Sequence, residues 1–177
     1  MRRALVTFLV AAALFGVIPS SVAHDHRPPQ VSLETTTATQ DGKRIYAYWP
    51  RQKDGRCKVT GHFDFTTFPR TIPYATGTTA GITLFKPEAP VSFVMRAWRR
   101  VGEDGRPYQA PEVVPMLLEP VREGAETVAW RLEFLPDLVE GDLYLQLEVY
   151  WRDEEGCGPA ADAGAQQASW TFHLEAE

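Results

Sequence analysis

Leu143-Tyr144-Leu145-Gln146-Leu147-Glu148-Val149-Tyr150-Trp151 alternates without interruption between apolar residues and residues carrying a polar group. Successive side chains of a strand point to opposite sides. A period of two therefore places Leu143, Leu145, Leu147, Val149 and Trp151 in a core and turns Tyr144, Gln146, Glu148 and Tyr150 toward water. The pattern recurs on both sides of this stretch. Toward the C-terminus, Trp170, Phe172 and Leu174 alternate with Thr171, His173 and Glu175. Toward the N-terminus, Val128, Trp130, Leu132 and Phe134 alternate with Arg131 and Glu133, and Val91, Phe93, Met95 and Ala97 form one face of a strand ending near Trp98. Val59, Phe63 and Phe65, then Ile45, Ala47 and Trp49, then Val31 and Leu33 complete the series.

Turn residues separate these runs: Asp41-Gly42, Asp54-Gly55, Asp104-Gly105, Pro136-Asp137, Glu140-Gly141 and Gly156 to Gly158. Asp104-Gly105 has the chemistry of a hairpin turn, because both positions tolerate positive φ. No segment after residue 23 carries a helical stripe, and residues 135–140 allow one helical turn at most. About seven to nine strands in roughly 150 residues predict an all-β fold, an antiparallel two-sheet sandwich of immunoglobulin-like or fibronectin-like type. A small closed barrel is the alternative.

The opening residues have a different character. Met1-Arg2-Arg3 is positive, Ala4 to Ile18 is almost wholly apolar, and Ser21-Val22-Ala23 offers small residues for cleavage. That is the three-part pattern of a secretory signal peptide over residues 1–23. Its apolar run is about 15 residues, short of the roughly 20 needed to span a bilayer. Residues 24–30, with Pro28-Pro29, read as a flexible arm, and residues 31–177 as a single sandwich domain. No second spanning stretch occurs, so the cleaved chain is expected not to cross a membrane. The formal charge of −5 becomes more negative once Arg2 and Arg3 leave. An acidic exported domain repels nucleic acid and anionic lipid, which leaves a protein or carbohydrate partner in the cell wall, the periplasm or the medium.

Two cysteines, Cys57 and Cys157, are present. In an oxidising compartment an isolated pair forms one disulfide. It would close a loop of about 100 residues, for which chain entropy credits roughly 4–5 kcal/mol as an upper figure.

Cleavage after Ala23 exposes His24-Asp25-His26. A free amine, two intervening amides and an imidazole at the third position wrap Cu(II) in a square plane of nitrogens. In carrying His at the first mature position of an exported sandwich, and in that respect alone, the chain is similar to periplasmic copper-carrier proteins and copper-dependent polysaccharide monooxygenases. The resemblance implies that His24 supplies amine and ring, and that His62 or His173 completes a copper site.

A second group of candidates is the aromatic residues on the outward parity: Tyr46 and Tyr48 on one strand, Tyr144 and Tyr150 on another, and Trp98 opposite Phe93 and Met95. Exposed aromatics flanked by polar groups form a surface for sugar rings or for a protein. Arg96, Arg99, Arg100 and Arg106 surround Asp104-Gly105, where Glu103 and Asp104 neutralise them; Asp153, Glu154 and Glu155 lack the ligand ladder of a calcium loop. Nucleophile-elbow, zinc-protease, phosphate-loop and dinucleotide motifs are missing from the sequence. The expectation is a non-enzymatic exported interaction domain without cofactor, with copper handling through Cu2+ as the alternative.

Overall fold

The computed structural model describes residues 27–53, 56–63, 67–137, 140–152 and 165–177, and the side chains of all of these except 51–53, 56–63 and 165. The signal segment, His24, His26, Cys157, the Asp54-Gly55 turn and the Asp153–Glu155 group lie outside the described residues.

Twelve strands follow one another: β1 (Val31–Glu34), β2 (Thr39–Asp41), β3 (Lys43–Lys53), β4 (Arg56–Phe63), β5 (Ile72–Tyr74), β6 (Ala80–Leu84), β7 (Ser92–Trp98), β8 (Glu112–Val114), β9 (Leu117–Glu123), β10 (Glu126–Phe134), β11 (Asp142–Arg152) and β12 (Ala165–Ala176). Five form a sheet in the order β2-β1-β6-β10-β9. Seven form a second sheet in the order β4-β3-β12-β11-β7-β8, with β5 beside β12. The two pack face to face as a β-sandwich. All pairings are antiparallel except β5 with β12, which is parallel. Among the described residues there is no helix, and none long and apolar enough to cross a membrane. The strand count exceeds expectation because β2, β5 and β8 have three residues each. Three residues are too few for a period of two to register.

The core lies between the sheets. Leu143, Leu145, Leu147, Val149 and Trp151 all face into it, as their alternation requires, and meet Leu33, Ile82, Leu84, Leu132 and Phe134 of the opposite sheet. Three tryptophans from adjacent strands anchor one end. Trp151 stands edge-on to Trp49 at 5.6 Å and to Trp170 at 6.3 Å. Edge-to-face pairs of this kind add about 0.5–1.5 kcal/mol each beyond the area they bury.

Two register shifts interrupt the ladders. In β10 the pairing with β9 slips between Thr127 and Ala129. Val128, at the slip, is half-buried and Ala129 is buried, while the register runs unbroken from Ala129 to Glu133, so Trp130 keeps the inward face of Leu132 and, half-buried, packs against the core. The indole nitrogen of Trp130 donates to the Pro87 carbonyl at 2.9 Å. A bulge adds one residue to one strand, so it offsets the parity of Thr127 from that of the run beginning at Ala129 and leaves the run itself intact. A second shift lies between Ser169 and Trp170, where β12 pairs with β3.

Asp41-Gly42 is not a hairpin turn but the crossing from the five-stranded to the seven-stranded sheet. A side chain at Gly42 would meet the Phe172 ring at 2.9 Å, so only glycine fits this passage. Asp104-Gly105 does form the expected turn. Gly105 has φ 77, its amide donates to the Gly102 carbonyl at 2.9 Å, and Val101 bridges to Pro107. Tyr74 is wholly buried at the end of β5, and its hydroxyl donates to the Thr78 carbonyl at 2.7 Å with the Pro136 carbonyl at 3.3 Å.

Candidate functional site: the outer face of the seven-stranded sheet

The register of β3, β12, β11 and β7 sets two adjacent rows of residues across the outer face. Tyr48, Gln167, Tyr150 and Ser92 form one row; Tyr46, Ser169, Glu148 and Val94 form the next. Directly opposed residues of paired strands have side chains on the same face, so these positions are neighbours in space.

Glu148 is the hub. Arg96 donates to its Oε2 at 2.7 Å, while the Tyr150 hydroxyl and the Gln167 amide both donate to Oε1. Gln167 also donates to the Tyr150 oxygen at 3.0 Å, and beside them Gln146 donates to Ser169 at 3.0 Å. The glutamate side chain is 16% exposed, so the network is sheltered yet reachable. Burial pushes the Glu148 carboxyl up, but the hydrogen bond from Tyr150 and the hydrogen bond and charge of Arg96 outweigh it and hold the group below its ordinary value. The opposite happens to the phenols. Burial and then the hydrogen bond to Glu148 raise Tyr150 to about 12, and burial with the Glu148 charge raises Tyr46. At neutral pH the face thus presents the Glu148 carboxylate, paired with Arg96, beside the neutral phenols of Tyr46 and Tyr150.

Of the five aromatic candidates, Tyr46, Tyr48 and Tyr150 are brought together around Glu148, each half-buried. The other two lie apart. Phe68, in the segment before β5, covers the far end of the face, with its ring 5.0 Å from Tyr144 and 6.4 Å from Trp98. Trp98 is accordingly buried, at 7% exposure, despite its outward parity. Phe68 lies in a stretch without alternation, so nothing in the sequence marks it as a cover.

Tyr144 stacks on His173 at 4.1 Å, and the imidazole is fixed at both nitrogens: Nδ1 to the Thr71 hydroxyl at 3.0 Å and Nε2 to Asp142 at 2.9 Å. His173 is therefore not an ordinary surface histidine. Hydroxyl, imidazole and carboxylate stand in the order of a nucleophile relay, but Thr71 does not line the adjoining pocket. The bonds orient the ring rather than present a reactive hydroxyl. That pocket, about 360 Å³ and open to solvent, lies between residues 67–69 and 101–105 with Tyr144 and His173 in its wall.

The other histidine candidate is remote. The backbone of His62 pairs with Ala47, which pairs with Ala168, five residues from His173 along β12. Two strand spacings and five residues put the two histidines about 10 Å apart across the sheet and about 17 Å along it. One ion bound at about 2 Å cannot take both. Among the described residues no three His, Cys, Asp or Glu side chains are grouped to hold a metal. The arginine group is also dispersed: Arg96 serves Glu148, Arg99 lies 3.5 Å from Asp137, and Arg106 lies 3.7 Å from Asp104. Cys57 sits on β4 opposite Gln52, while its expected partner Cys157 is outside the described residues.

Fold and face together define a class, a β-sandwich with a polar, tyrosine-flanked sheet surface. No protein-family model matches the chain, and no curated protein matches it.

Proposed function

We propose that the chain is an exported, non-catalytic binding module that holds a glycan on the outer face of its seven-stranded sheet. The observation that carries this reading is the Glu148 hub between Tyr46, Tyr48 and Tyr150. A sugar ring has an apolar C–H face and a rim of hydroxyls. It is held by an aromatic surface beside donors and acceptors whose positions are already fixed, since preorganised groups lose little freedom on binding. Tyr46, Tyr48 and Tyr150 supply the first, and Glu148, Gln167, Gln146 and Arg96 the second. A protein partner would favour a continuous apolar patch. The large exposed apolar residues Phe85, Val91, Tyr108, Val113, Leu117 and Leu135 are instead spread over strand ends, connections and edge strands. The signal-like segment 1–23 supports export, and the acidic balance supports an uncharged ligand over a polyanion.

The test is binding of the mature protein to an array of plant, fungal and bacterial wall glycans, with Tyr46→Ala and Tyr48→Ala alongside. At least one glycan should be retained, and each variant should weaken it about tenfold or more while keeping the urea midpoint. Absence of any glycan ligand, or equal binding by both variants, would overturn the reading. Tyrosine-dependent capture of an envelope protein would replace the glycan with a protein.

A further inference from the structure

We propose that the pocket between Phe68 and the 101–105 turn binds an organic ammonium group, at a site separate from the Tyr46–Tyr150 face. The pocket has a volume of about 360 Å³, enough for a small head group. One wall is aromatic. Phe68 and Tyr144 meet at 68° with centroids 5.0 Å apart, and Tyr144 stacks on His173. A cation lodged against an aromatic wall is attracted by the ring quadrupoles. The other wall carries Glu103 and Asp104, and among the described residues no Lys or Arg lines the pocket.

One cation reaches the rim: the Lys43 ammonium donates to the hydroxyl of Thr67, on the wall opposite the 101–105 turn. Asp104 accepts the Arg106 amide at 3.1 Å and lies 3.7 Å from its guanidinium, with both side chains well exposed, so that pair neutralises weakly. Glu103 is exposed. Asp142 holds His173 Nε2 at 2.9 Å and adds a further negative charge behind the aromatic wall. Because Thr71 and Asp142 occupy both ring nitrogens, His173 offers the pocket its ring rather than a donor. An anion here would face Glu103 and Asp104, and a neutral apolar group would strip water from them without recompense. An ammonium group satisfies both walls. Its carrier is a small free amine or an amino sugar within a glycan.

The experiment is titration of the 15N-labelled mature protein with tetramethylammonium chloride, with tert-butanol as neutral counterpart and sodium chloride as salt control. Saturable shifts are expected at the Gly102, Gly105 and His173 amides with tetramethylammonium alone. Glu103→Gln and Phe68→Leu should each weaken binding about threefold, the loss of one screened charge or one ring contact. Choline and a glucosamine trimer then identify the carrier by whichever binds more tightly. Equal saturable shifts with tert-butanol, no saturable shift with tetramethylammonium, or unchanged affinity in both variants would overturn the proposal. The outcome is independent of the glycan reading, since the probe carries no sugar and Tyr46 and Tyr48 are untouched.

Discussion

Replacing Tyr150 by Phe removes one hydroxyl from the middle of the outer face and leaves the ring in place. That hydroxyl donates to Glu148 and accepts from Gln167 at 3.0 Å. A hydrogen bond to a charged group contributes about 1.5–3 kcal/mol. Arg96 and Gln167 still hold the carboxylate in the variant, and water reaches the half-buried site, so the lower end applies, about 1.5 kcal/mol at neutral pH. For a domain of this size that corresponds to a fall in Tm of about 3–6 °C. Urea unfolding at constant slope measures it. The pH dependence gives a second check. Glu148 is held below its ordinary 4.5 in the folded state, so its stabilisation is complete above that value and disappears as pH falls through the lower, folded one. The gap between wild type and variant should therefore narrow as the pH is taken well below 4.5. Tyr150 is raised from 10.0 to about 12, so its neutral phenol stabilises the fold below 10 and that contribution is lost as pH rises toward 12. The gap should narrow there too. A difference below about 0.3 kcal/mol at neutral pH, or one that stays constant at both extremes, would refute the assignment of Glu148 as a charged hub.

Tyr74→Phe leaves the carbonyls of Thr78 and Pro136 without their hydroxyl partner at a fully buried position, and should cost about 1–3 kcal/mol by urea midpoint. A cost near zero would show that the bond to Thr78 carries no net stability. The expected Cys57–Cys157 bond makes the intact exported protein two hydrogens lighter than its reduced sequence, and reduction should lower stability by up to about 4–5 kcal/mol. A full-weight mass would dismiss it. The last described residues of β3 and β11 lie at the same end of the seven-stranded sheet, and Cys57 pairs with Gln52 at that end. The same mass spectrum, recorded with copper present, tests the N-terminal chelate. Because Thr71 and Asp142 engage both ring nitrogens of His173, any bound copper should be lost on substituting His24 and His26 and kept in His173→Gln.

Seven strands, β1, β3, β4, β7, β10, β11 and β12, were legible as alternating runs, and with them the sandwich. β6 was not. All of Ala80-Gly81-Ile82-Thr83-Leu84 except Thr83 is buried, since β6 is the central strand of its sheet. A strand enclosed on both faces loses the period that reveals it. β9 lacks the opposite requirement. It is an edge strand with four charged or proline positions in Leu117-Leu118-Glu119-Pro120-Val121-Arg122-Glu123, a composition that protects an edge and disguises a strand.

The local chemistry of the chain determined which residues face outward: Tyr46, Tyr48, Tyr144, Glu148 and Tyr150 follow from a period of two, which is a property of any single strand. Only the tertiary structure decided which of them meet. Strand order brings β3 and β11 to either side of β12, so residues about 100 positions apart share one carboxylate, and alternation says nothing about neighbours. Phe68 crosses from a segment without periodicity to bury Trp98 and pack against Tyr144, and Thr71 and Asp142 arrive from different elements to fix His173. Sequence periodicity records the direction of a side chain relative to its own backbone. Burial, partnership and charge state depend on what other segments place over it.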